Sequence, residues 1–178
     1  MSQFNSLILL ILILTTSCKD NLGKSEPIVN TENYELTNKF LSGFDNIKLI
    51  SYDTHRDDYS SNYQLKIEND TIKIPEVKYI DNVDLDNKFS KKIFRVLLSE
   101  NKNCTMADCY NPRHILLFYK KDKLVGFYEF CAECGGSRQS ENIKIAPICT
   151  KKGDELIAIF KEMKLKNDGE ESENYKYF

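Results

Sequence analysis

Apolar positions along this chain recur with two different periods, and each change of period marks a new element. Leu36, Phe40 and Phe44 fall four residues apart, which predicts a short helix ending near Gly43. Period-2 alternation follows over Ile47 to Asp53, Tyr63 to Glu68 and Thr71 to Ile74. Ile47 and Leu49, Leu65 and Ile67, and Ile72 and Ile74 would each share a face. These runs read as antiparallel strands, with Asn69-Asp70 as a tight turn between the last two. Phe89, Ile93, Val96 and Leu97 then mark one face of a helix from about Asp86 to Ser99. Lys91, Lys92 and Arg95 point the other way, and Asp86 is placed to cap it. A further helix from about Lys152 to Lys164 carries Leu156, Ile159, Phe160 and Met163 on one stripe.

Between these two helices lies the strongest strand signal. His114 to Lys120 and Leu124 to Phe130 are apolar on both faces and flank Lys121-Asp122-Lys123, the pattern of a hairpin inside a sheet covered on both sides. With Lys121 and Asp122 as the loop, Lys120 faces Lys123, His114 faces Glu129 and, were pairing to continue, Cys109 would face Cys134. The expected fold is α+β: an antiparallel sheet with a central hairpin at about 114–130 and two packed helices.

The N-terminus has a different character. Leu7 to Leu14 is an unbroken apolar run followed by Ser17-Cys18 and the polar Lys19-Asp20-Asn21. A membrane-spanning helix needs about 20 apolar residues and a secretory core roughly 7 to 15, so the run reads as a cleaved signal peptide. Leu14-Thr15-Thr16-Ser17-Cys18 resembles the lipobox of bacterial lipoproteins. That resemblance implies removal of residues 1–17 and acylation of Cys18 on its sulfur (palmitate-type) and on its new N-terminus. The lipid would then anchor the chain in the cell envelope, with the outer membrane as the expected site, on its periplasmic or its surface side. Lys19-Asp20 is similar to the start of a surface-export signal.

The expected layout is a signal peptide at 1–17, then the lipidated cysteine and a flexible tether at 18–31 containing Gly23, Ser25, Pro27 and Asn30. An α+β domain at 32–165 and an acidic tail at 166–178 complete it. A length of 178 residues suits one domain, and 41% hydrophobic with 29% charged residues is the composition of a soluble globule. A net charge of −2 supplies no basic field for nucleic acid, so no nucleic-acid partner is expected.

Chemistry concentrates in the cysteines. Beyond Cys18 there are Cys104, Cys109, Cys131, Cys134 and Cys149, crowded into the second half of the chain. In an exported protein such crowding favours structural disulfides among Cys104, Cys109, Cys131 and Cys134, with Cys149 left as a buried thiol. The same four residues could instead hold zinc as thiolates, with His114 able to replace one of them. A third use is thiol exchange, Cys131 attacking and Cys134 resolving. However, this C-x-x-C follows a strand and precedes Gly135-Gly136, not a helix. Arg113 and His114 stand beside the cluster as accessory residues for an anion or metal. His55 with Asp57 and Asp58 reads as a solvated loop with some capacity for a cation.

Cys109-Tyr110-Asn111-Pro112-Arg113-His114, the strand after it, and Cys131-Ala132-Glu133-Cys134 together resemble a set of uncharacterised bacterial lipoproteins with a C-x-x-P-R segment and a C-x-x-C. The resemblance implies that these residues form one site and names no activity. The sequence contains no G-x-S-x-G, H-E-x-x-H, phosphate-loop or dinucleotide-binding motif. The reading is therefore a lipid-anchored, non-catalytic binding module for an envelope protein or small ligand, without a cofactor. A zinc-binding lipoprotein and a thiol oxidoreductase are the alternatives.

Overall fold

The computed structural model describes residues 31–52, 65–68, 71–73, 79–100, 105, 112–133 and 135–169. The signal peptide, Cys18, the tether to residue 30, the His55 cluster, the Asn69-Asp70 turn, Cys104, Cys109, Cys134 and the tail from residue 170 lie outside the described residues.

The elements, in chain order, are α1 (Thr31–Leu41), β1 (Asn46–Tyr52), β2 (Lys66–Glu68), β3 (Thr71–Lys73), β4 (Tyr79–Asp84), α2 (Asn87–Leu97), β5 (His114–Lys120), β6 (Lys123–Phe130), β7 (Ser137–Gln139) and α3 (Thr150–Met163). Five strands form one antiparallel sheet in the order β4-β1-β5-β6-β7, while β2 and β3 pair only with each other. The fold is α+β with the β5–β6 hairpin at its centre, as the apolar faces of those strands imply. The described residues hold three helices: the two expected to pack on the sheet and the short one ahead of β1. Strands β4 and β7 carry no strong pattern. β4 is a half-exposed edge, and β7 is Ser-Arg-Gln with no apolar residue.

Both faces of the sheet are covered. Ile47, Leu49, Leu116, Phe118, Tyr128 and Phe130 pack with Ile93, Phe94, Leu97, Leu156 and Phe160 of the helices. Ile50, Tyr52, Ile115, Leu117 and Phe127 form a second cluster with Leu65 on the opposite face. This two-sided burial is why the hairpin strands show no alternation. Helix α2 begins where expected: Asp86 Oδ1 accepts the Phe89 N–H at 2.7 Å and caps it. In α1 the stripe is displaced from the expected one. The helix starts at Thr31, Thr37 is its buried residue, and Leu36 is 47% exposed, while Phe40 and Phe44 lie against the aromatic ring of Phe118.

The hairpin register departs from the simple loop count. Lys121 and Asp122 form the two-residue turn, with left-handed φ values of 49° and 59°, and Lys120 does face Lys123. Between Phe118 and Tyr119, however, the register slips by one, so Phe118 faces Gly126 and His114 faces Phe130 instead of Glu129. An extra residue, Val125, is accommodated as a bulge, and its carbonyl accepts from Asn142 Nδ2 at 2.7 Å. Beside it, Gly126 leaves room for Ile143, which a Cβ would meet at 2.8 Å. The expected opposition of Cys109 and Cys134 rested on the unslipped register.

Candidate functional site

The hairpin end opposite its turn brings several of the sequence-predicted residues together. Residues Asp81, Ser51, His114 and Phe130 are register partners on four successive strands, β4, β1, β5 and β6, and form one cross-strand row. Ser51 Oγ donates to Asp81 Oδ2 at 2.6 Å and accepts the Asp81 N–H at 3.1 Å. His114 is fully buried, its ring stacked 5.5 Å from Phe130 and 4.7 Å from Phe160. Its Nε2 lies 2.9 Å from the Asn167 carbonyl oxygen. A carbonyl can only accept, so this nitrogen carries the proton and Nδ1 presents a lone pair. Nδ1 is buried and has no hydrogen-bond partner among the described residues. Burial pulls the imidazole pKa down from its usual range to about 4, with the Arg113 charge adding to the effect and the Asn167 bond opposing it.

The row is roofed by residues expected in a solvated tail. After α3 ends at a left-handed Lys164, the chain crosses the sheet. Asp81 Oδ1 accepts the Lys166 N–H and Oδ2 the Asn167 N–H, each at 3.0 Å. Asn167 Nδ2 donates to the Tyr52 carbonyl at 3.2 Å, and Gly169 is buried beside His114, Ala132 and Ile157. Residues 166–169 therefore belong to the domain, because backbone N–H groups supplied by the strap satisfy a carboxylate on β4. Their polar composition, Lys-Asn-Asp-Gly, gives no hint of this.

Arg113 continues the ladder: its N–H donates to Phe130 and its carbonyl accepts from Tyr52. Its guanidinium pairs with Glu133 at 3.2 Å, inside the C-x-x-C. Residues 131–133 and 135–136 form a tight turn between β6 and β7. The Gly135 N–H donates to the Cys131 carbonyl and the Cys131 N–H to Gly136, with Gly135 at φ 78°. Cys131 is buried and disulfide-bonded, and so is Cys149, the residue that precedes α3. Cys149 is therefore buried as expected but is not a thiol. Next to it, the Thr150 N–H donates to the Thr105 carbonyl at 3.1 Å, which ties Thr105 to the start of α3.

Two buried ionisable groups, Glu129 and Lys152, and the half-buried Asp81 carry no motif in the sequence. Glu129, on the face opposite His114, accepts from Tyr52 Oη at 2.8 Å and from Arg138 Nε and Nη2 at 3.1 and 2.8 Å. Arg138 also donates to the Leu65 carbonyl at 2.8 Å. Lys152 is 2% exposed, and its Nζ donates to the carbonyls of Leu97 and Ser99 at 3.0 and 2.6 Å, closing the C-terminus of α2. Signals for two of them existed. Glu129 interrupts an otherwise apolar strand, and Lys152 stands four and eight residues before Leu156 and Phe160 on the buried stripe. Asp81 had no such signal.

Among the described residues no group of three or more His, Cys, Asp or Glu side chains could hold a metal ion. No helix of the described residues is long and apolar enough to cross a membrane. No protein-family model matches the chain, and neither a curated protein nor a solved structure matches it.

Proposed function

We propose that the chain is an exported cell-envelope protein, anchored through lipid on Cys18 and expected at the outer membrane. Its domain would be a disulfide-stapled binding module and not an enzyme. The observation that carries this reading is the disulfide-bonded state of Cys131 and Cys149. Disulfides persist in oxidising compartments, and a lipobox-like leader sends the chain to one. Cys104 is the proposed partner of Cys149, because it adjoins Thr105, whose carbonyl is bonded to Thr150. Cys131 then pairs with Cys109 or Cys134.

Supporting the module reading, the buried ionisable groups of the domain are engaged in holding structure. His114 binds the strap, Glu129 binds Tyr52 and Arg138, and Lys152 binds two carbonyls. The zinc alternative needs thiolates from Cys104, Cys109, Cys131 and Cys134, and Cys131 does not offer one while oxidised.

The test is intact-mass and peptide mapping of the protein extracted from membranes without reductant. The expected result is a chain beginning at an acylated Cys18, two hydrogens short for each bridge, with the Cys104 and Cys149 peptides linked until reductant is added. Cys18→Ala should leave the membrane fraction. Free thiols with a metal ion that a chelator removes would overturn the staple, and unchanged membrane association of Cys18→Ala would overturn the anchor.

A further inference from the structure

We propose that the C-terminal strap, residues 166–169, is an acid-released latch whose trigger is His114. The strap has anchors on three strands. Asp81 takes the N–H groups of Lys166 and Asn167, Tyr52 takes the Asn167 side chain, and His114 donates to the Asn167 carbonyl. Its Gly169 lies over the imidazole, within reach of Cε1. Among the described residues, Phe130 from β6 and Phe160 from α3 stack on the ring from the core.

An imidazolium has two N–H donors, and in the closed latch only Nε2–H has an acceptor. Nδ1 is buried with no partner among the described residues, and an unpaired buried charge is costly. The charged groups whose fields reach the ring are Asp81 on β4, Asp168 on the strap and Arg113 on its own strand. The two aspartates favour the cation and Arg113 opposes it. Asp81 is already committed to Ser51 and to two strap amides. The Phe130 and Phe160 rings on the other sides offer the new N–H no acceptor. Among the ring's described neighbours, sheet and α3 side chains are core, whereas the strap runs from an exposed Lys166 through half-buried Asn167 and Asp168, so lifting the strap is the cheapest way for water to reach Nδ1. Proton uptake and strap release are therefore linked.

With the closed-latch imidazole at about 4 and the released ring at its ordinary 6.5, opening should be roughly 30-fold more favourable at about pH 5 than at about pH 7.5. Amide hydrogen exchange of the full, oxidised chain, expressed as protection factors, reads this directly. Protection at Lys166 to Asp168 should fall by about that factor while β1, β5 and β6 keep theirs. His114→Phe, which stacks but cannot titrate, should show no such fall. Strap protection that is unchanged at about pH 5, or that falls together with the sheet, overturns the latch. So does a His114→Phe chain with the same pH dependence. Should that variant not fold, imidazole nitrogen shifts of the native chain decide: His114 titrating while the strap stays protected also overturns it.

Discussion

The backbone of Gly153, in the first turn of α3, rests against the carbonyl oxygen of Ala132 in the cysteine turn, so closely that a Cβ built on Gly153 would overlap that oxygen. Both partners are backbone, and neither can swing aside. Gly153→Ala, although it favours helix intrinsically, should therefore destabilise the domain by about 3 kcal/mol. Urea denaturation measures this. A variant as stable as the native chain would show that α3 is not seated on the Cys131 turn.

Lys152 holds the opposite side of the same helix start. Replacing it by Met removes a buried ammonium, whose pKa burial lowers, but also strands the Leu97 and Ser99 carbonyls at the end of α2. Because a buried acceptor without a donor costs about 1 to 3 kcal/mol, Lys152→Met should lose stability in that range. Its exposed neighbour makes the control: Lys151→Met should change the unfolding midpoint little. Equal effects of the two substitutions would refute the capping role.

How much of this could be read beforehand depended on how local the cause was. Helix α2 was legible because its stripe and its Asp86 cap lie within one stretch of chain. The β5–β6 turn was legible because Lys121-Asp122 separates two apolar runs. The register beyond it was not, since the bulge at Val125 is stabilised by Asn142 and by the room that Gly126 leaves for Ile143. β7 has no apolar residue to announce it, and the Arg138–Glu129 pair ties it to β6. In the candidate site, the proximity of Arg113, His114 and Cys131 followed from the hairpin. The strap did not, because Asp81 and Asn167 are far apart in sequence and their bond uses the backbone of a segment that reads as polar tail.

The Glu129–Arg138 pair makes a prediction that separates charge from packing. Glu129 is fully buried whereas Arg138 is partly exposed, so Arg138→Met takes two charged hydrogen bonds from a carboxylate that stays inside the protein on the Tyr52 hydroxyl. Breaking a buried pair from one side costs about 3 to 5 kcal/mol. Removing both charges, as Glu129→Met with Arg138→Met, should cost less than Arg138→Met alone. A strictly additive double variant, measured by denaturant titration, would mean that the two charges do not interact.

The acid response of the whole domain follows from His114 with a definite sign. Its folded pKa, about 4, lies below the ordinary 6.5 because the ring is buried. The unfolded chain therefore binds a proton between those values that the closed native state refuses. Stability from this group is fully present above pH 6.5 and is lost as pH falls toward 4, by on the order of 3 kcal/mol if the fold stays closed throughout. A strap that lifts first lets the native state take the proton too, and the loss should then level off at whatever strap docking contributes. Denaturation midpoints measured across this window distinguish the two courses, a full decline for a closed fold or a plateau for an opened latch. His114→Phe should flatten either one, and a variant that still lost stability over the same window would place the titrating group elsewhere.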